Sequence, residues 1–231
     1  MSEIFPRSRR SSVVQRLSKV DELHLSDHCY LKPTDKCLFL REYIPHVGYS
    51  GGETNSLISN FKKGVDREGQ PGWRYKGLAI QQIARELAST LNPEWLKIAT
   101  LIPIPPSKSR QSPLYDDRMS QVLRLFPALV GLQGDVRELI IQIADMVSAH
   151  TAESRPSPAE IRANYTIDST QTTPSPKAIG IFDDVLTTGA HFRAAESLLS
   201  ETFPGVSITG IFVARRIISE IDWEAGFEPV L

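Results

Sequence analysis

Cysteine is scarce in this chain. Cys29 and Cys37 are the only two among 231 residues, and no apolar signal-peptide core stands near the N-terminus, which points away from a disulfide-stapled secreted scaffold and towards free thiols in a reducing cytoplasm. Joined with His24 and His28, the two thiols give a Cys-x₇-Cys spacing with histidines on one side only, which fits none of the usual zinc patterns. Long apolar runs are lacking too: stretches such as 178–182 are far too short to span a bilayer, so no membrane partner is expected. There is no large excess of charge of either sign, the formal net charge being -1, which argues against a surface built wholly for nucleic acid but allows a local basic patch. Gly-x-x-x-x-Gly-Lys-Ser/Thr occurs nowhere, which argues against a P-loop nucleotidase.

What remains is globular in composition, with 41% hydrophobic and 23% charged residues, enough to bury a core without a metal staple. The length suits one α/β domain, 31–231, behind a basic extension, 1–30. In the first 20 residues Arg7, Arg9, Arg10, Arg16 and Lys19 face a single acid, Glu3, among serines. Such an arm is either a disordered terminus or an electrostatic contact for nucleic acid or an acidic protein.

Periodicity marks several elements. Residues 37–43 (CLFLREY) read as a strand, followed by a glycine-rich break. The spacing of Ile80, Ile83, Ala84, Leu87 and Leu91 predicts an amphipathic helix over 78–91 that stops at Asn92-Pro93. Residues 98–104 (IATLIPI) form a nearly continuous apolar run of the kind found in buried parallel strands. A helix is expected from about Asp116, with Met119, Val122, Leu123 and Phe126 on one face. Residues 136–146 are apolar but ambiguous between helix and strand. Residues 151–177, rich in Ser, Thr and Pro, are too long for an ordinary connection and read as a functional loop or lid. Then come a strand over 178–182, a loop over 183–190, a helix over 191–203 and a strand over 208–214, a right-handed crossover onto a parallel sheet.

The chemistry concentrates in AIGIFDDVLTTGA. Asp183 and Asp184 lie at the C-terminal end of a buried strand, where α/β sheets bind ligands. The Thr187-Thr188-Gly189 turn opens the next helix. Free N–H groups at a helix N-terminus, the helix dipole, threonine hydroxyls and a glycine that lets the backbone approach all suit a phosphate. Carboxylates beside such a cradle would repel a second phosphate but accept hydrogen bonds from vicinal sugar hydroxyls. The composite is a ribose held by Asp183 and Asp184 with its 5′-phosphate in the loop of Val185, Leu186, Thr187, Thr188, Gly189, Ala190 and His191. His150 and Arg215 sit near element ends, where a structural role is the simpler reading.

Four apolar residues, two acids, two apolar residues and Thr-Thr-Gly, running from Ile179 to Gly189, resemble the phosphoribosyl diphosphate (PRPP) signature of type I phosphoribosyltransferases. The chain departs from that signature at His191, where the family has a small or hydroxyl residue. A looser resemblance, from about Leu38 to Arg215, is to the competence-protein-F branch of the superfamily; it rests on SLISNFKKG, LIPIP with a basic loop, Arg155 and RANY at 162–165. The resemblance implies a type I phosphoribosyltransferase fold, a mostly parallel sheet flanked by helices with a small hood. It implies a pyrophosphate loop at Pro105, Pro106, Ser107, Lys108, Ser109 and Arg110, where Lys108 and Arg110 supply positive charge. It also implies Mg²⁺, held mainly through the ligand with Asp183 and Asp184 as the protein's contribution, and it admits a homodimer.

Two functions follow as expectations. One is transfer of phosphoribose from PRPP to an unidentified nitrogenous base through an oxocarbenium-like state, with the Asp183-Asp184 carboxylates favouring the cationic sugar and Lys108 and Arg110 the departing diphosphate. A loop within 151–177 or 110–117 would exclude water. The other is a catalytically silent PRPP- or nucleotide-binding regulator, accessory to DNA uptake, DNA processing or phage defence through the basic arm.

Overall fold

The computed structural model describes residues 16–132, 134–146 and 156–217. The chain enters through a two-residue strand, β1 (Ser18–Lys19), and a single turn at Leu25–Asp27, then forms β2 (Cys37–Tyr43). Helices α1 (Gly52–Phe61), α2 (Arg74–Thr90) and the one-turn α3 (Pro93–Leu96) lead to β3 (Ala99–Pro103). Asn92 caps α3 by accepting from the N–H groups of Glu94 and Trp95, which satisfies donors that the first helical turn leaves free. Two short helices, α4 (Arg118–Arg124) and α5 (Phe126–Val130), precede β4 (Asp135–Val136) and β5 (Ile140–Gln142). After them come α6 (Pro158–Ala163), β6 (Tyr165–Ile167), β7 (Ala178–Leu186), α7 (Ala190–Thr202) and β8 (Ser207–Arg216).

The main sheet runs β1-β2-β8-β7-β3-β4, and every pairing but that of β1 with β2 is parallel. Its middle strands are buried almost along their length because helices cover both faces, which is why they read as unbroken apolar runs rather than as alternations. One face packs Ile58, Phe61, Ile83, Leu87, Leu123 and Phe126 against Phe182. The other packs Ile161, Phe192, Ala195 and Leu199 against Ile179 and Ile181. Gly180 is needed between them, since a Cβ there would lie 2.7 Å from the Trp95 ring. The result is an α/β layering with β5 and β6 paired antiparallel as a separate small ribbon. Among the described residues, no helix is long and apolar enough to cross a membrane.

The structure corrects several expectations. The acids do not open a loop: β7 continues to Leu186, with Asp183 opposite Phe212 and Leu186 opposite Arg215. The helix expected through Phe126 is broken at Leu125, because Pro127 lacks an N–H and its ring would meet the carbonyl four residues back. Helix α2 starts at Arg74, ahead of the apolar stripe. The ambiguous stretch 136–146 carries strand pieces, β5 and the end of β4. The described part of the presumed loop, 156–177, holds α6, β6 and a turn at Ser169–Gln171. Helix α6 is set by a capping box, Ser157 with Glu160, and by Pro158 in its first turn. Residues 147–155, with His150 and Arg155, lie outside the described residues, as does the arm at 1–15. The rest of the N-terminal extension, 16–30, packs onto the domain, Val20 and His28 being buried.

Candidate functional site

Parallel strands deliver their C-terminal ends to one edge of a sheet, so neighbouring strands bring sequence-distant loops together. Here β3 and β7 are neighbours with Pro103 opposite Phe182, and the Ile104 N–H donates to the Phe182 carbonyl at 2.8 Å. The basic loop 105–110 and the turn 187–189 therefore leave from the same edge of the sheet, β7 running on from Phe182 to Leu186 before its turn.

The turn is held from behind. His28, fully buried, bonds the Thr187 carbonyl through Nδ1, and the Tyr30 N–H donates to the Thr188 carbonyl at 2.9 Å. A carbonyl only accepts, so His28 Nδ1 carries the proton; burial lowers the imidazole pKa and keeps the ring neutral. Gly189 has φ +84°, and a Cβ there would lie 2.8 Å from Leu31 Cδ2, so both the left-handed backbone and the close approach of Leu31 require glycine. With its carbonyls engaged by 28–30, the turn has amides to spare: the N–H groups of Thr188, Gly189, Ala190 and His191 donate to no described residue. They stand at the start of the 13-residue α7 beside the partly exposed Thr187 and Thr188, an arrangement suited to an anion.

The acids precede this turn on opposite faces of β7, as strand alternation requires. Asp184 turns to the α1 and α4 side. Its Oδ1 lies 2.9 Å from Lys62 Nζ and its Oδ2 accepts from Arg118 Nη2 at 2.8 Å. Arg118 also donates to Asp116 at 2.8 Å, and Asp116 accepts from Lys76 Nζ at 2.7 Å. Lys76 is anchored in turn by the carbonyls of Phe61 and Lys63. Burial opposes ionisation of Asp184, but Lys62 and Arg118 outweigh it and hold the carboxyl well below the usual carboxylate range. For Arg118 burial likewise works against the charge, and Asp184 and Asp116 reverse it, so the guanidinium stays charged.

Asp183 turns to the α7 side, where it forms no ion pair with a described residue. Burial, and then the neighbouring Asp184 charge, push its carboxyl well above the ordinary carboxylate range. Its Oδ1 accepts the Asp184 N–H at 2.7 Å. On this side stand Tyr165, whose phenol is pushed up by burial and by Asp183, and His191, whose Nδ1 lies 2.9 Å from the Tyr165 hydroxyl. Burial lowers the His191 pKa, so this ring too is neutral near pH 7.

The loop after β3 is less cationic than its sequence suggests. Lys108 Nζ lies 3.4 Å from Asp145, which also accepts the Ser109 N–H at 2.7 Å. Arg110 donates to Glu138 at 2.9 Å, and Glu138 is shared with Arg124. The Ser107 carbonyl accepts from Met146, while Pro105 and Pro106 are partly exposed. Arg215 is structural: it pairs with Asp27 and Glu42 and lies over the Phe39 ring at 5.2 Å.

As a seat for a divalent cation the residues fit poorly by themselves. Both oxygens of Asp184 are taken by cations, Asp183 stands alone, and no group of three or more His, Cys, Asp or Glu side chains suited to a metal occurs among the described residues. Arg118, Asp145 and Glu138 were not singled out from the sequence, and Lys62 in SLISNFKKG, Tyr165 in RANY, Asp116 at a helix start and His28 beside the thiols were given no role at this site. Arg118 and Asp184 are 66 residues apart, a separation at which no spacing rule operates. No protein-family model matches the chain, and no curated protein matches it either.

Proposed function

We propose that this chain is a type I phosphoribosyltransferase-like protein that binds PRPP at the C-terminal edge of β7. The observation that carries the reading is the run from Asp183 into a turn whose carbonyls are occupied, whose amides are free, and whose glycine begins a helix. In this reading the amides of 188–191 and the Thr187 and Thr188 hydroxyls take the 5′-phosphate. Asp183 accepts from a ribose hydroxyl. Asp184, fixed by Lys62 and Arg118, orients the strand end and tempers the negative charge beside the phosphate.

The loop of Pro106, Ser107, Lys108, Ser109 and Arg110 faces the diphosphate, with Lys108 and Arg110 exchanging Asp145 and Glu138 for phosphate oxygens. Mg²⁺, if it were bound, would neutralise charge on the departing diphosphate, and it would have to be held mainly by the ligand, since the described residues form no cage for it. Cleavage at C1 develops positive charge on the sugar, which an ionised Asp183 favours electrostatically. The acceptor is a nitrogenous base whose class the site residues leave open.

A second reading, a PRPP- or nucleotide-binding regulator without transfer activity, is favoured by one observation: the loop cations are already paired with carboxylates. In that case the basic arm serves a nucleic acid or an acidic protein partner. Incubation of the protein with PRPP, Mg²⁺ and a library of bases, read by pyrophosphate release, separates the two. Release with some base supports transfer. Binding of PRPP, measured by titration, without release across the library supports the regulator, and absence of PRPP binding contradicts the transferase and any regulator that uses PRPP.

A further inference from the structure

His191 is the second residue of α7, directly beyond the Gly189 turn. The Tyr165 hydroxyl is 2.9 Å from its Nδ1 and has no other hydrogen-bond partner among the described residues, although Tyr165 is only 3% exposed. A buried phenol left without an acceptor is costly, so the O–H donates to Nδ1. That fixes the tautomer: in a neutral ring the proton then sits on Nε2. His191 is half-buried, and its Nε2, on the far edge of the ring from Tyr165, bonds to no described residue. The turn amides that donate to no described residue adjoin it in the chain, the charges of Asp184 and Lys62 act on its ring, and Asp183 acts on the neighbouring Tyr165.

We infer that His191 is a specificity-determining residue whose Nε2–H donates to the terminal phosphate monoester of the ligand, and that Tyr165 is its positioning residue. This rests on the phosphoribose reading above. A hydroxyl donates or accepts, whereas Nε2–H in this tautomer only donates, and so it favours a fully ionised phosphate monoester, whose terminal oxygens all accept.

The test is calorimetric titration of full-length protein with ribose 5-phosphate and with PRPP, together with ¹⁵N spectra of histidine-labelled protein in which His191→Gln identifies the His191 signals. A glutamine amide reaches the position of Nε2 and an asparagine amide that of Nδ1. The expected result is about a tenfold loss of ribose 5-phosphate affinity in His191→Ala and His191→Asn, the scale of one hydrogen bond to a charged group, with His191→Gln within about threefold of wild type on the same argument. The wild-type ring shows the neutral Nε2–H tautomer, and Tyr165→Phe mixes the tautomers and weakens binding while the protein stays folded. Wild-type affinity in His191→Ala, or an Nδ1–H tautomer in the wild type, overturns the inference and leaves the PRPP reading standing. Failure of the wild type to bind either ligand overturns both.

Discussion

Asp183 and Asp184 share a peptide bond and have opposite surroundings. Asp184 is a buried anion between Lys62 and Arg118, so Asp184→Asn leaves a buried guanidinium short of a partner and is expected to cost about 3–5 kcal/mol, read as a lower urea midpoint with an unchanged slope. Asp183 behaves the other way. Its folded-state pKa is raised, so its carboxyl binds protons more tightly folded than unfolded. Stability is intact below the unfolded value near 4 and is lost as pH rises through the raised folded value. Asp183→Asn is therefore expected to melt above wild type at pH 9, on a scale of about 2–4 °C per kcal/mol for a chain of this size, and the gap closes towards pH 5. Equal stabilities across that range would mean that Asp183 is solvated. A residue whose replacement stabilises the fold is one retained for what it binds.

At the scale of elements, the turn between β7 and α7 is propped by the segment 28–31. His28→Ala removes a buried ring and leaves the Thr187 carbonyl unpaired; we expect a loss of about 2–3 kcal/mol together with weaker ligand binding, measured by thermal melts with and without PRPP. Gly189→Ala forces a left-handed backbone on a Cβ, about 1–2 kcal/mol, and drives that Cβ into Leu31. If the contact matters as well as φ, Leu31→Ala will reduce the penalty of Gly189→Ala in a double-mutant cycle. Strands β2, β3, β7 and β8 were legible because burial on both faces makes them continuous apolar runs, and α2 and α7 because their stripes repeat over several turns. Helix α6 and strand β6 were not: six and three residues are too few for a period to register. The break at Leu125 was written in Pro127 but masked by the apolar positions on either side.

For the molecule as a whole, the sequence disclosed the acids, the turn and the basic loop, and parallel topology explains why they lie at one edge of the sheet. It did not disclose the groups that set their charge. Lys62, Arg118, Asp145 and Glu138 reach the site through tertiary packing, and they turn a row of apparent cations into a network in which Asp183, unlike Asp184, pairs with no described cation. The prop at 28–31 was hidden for the same reason, inside a stretch that reads as a basic extension. The proposed seat for phosphoribosyl diphosphate at this edge, with Asp183 on the sugar, is tested most directly by calorimetric titration of PRPP with Mg²⁺ into wild type and Asp183→Asn. The account predicts saturable binding by the wild type and a loss of tenfold or more, about 1.4 kcal/mol, in a variant that is at least as stable. Absence of binding by the wild type, or equal affinity in both proteins, would contradict it.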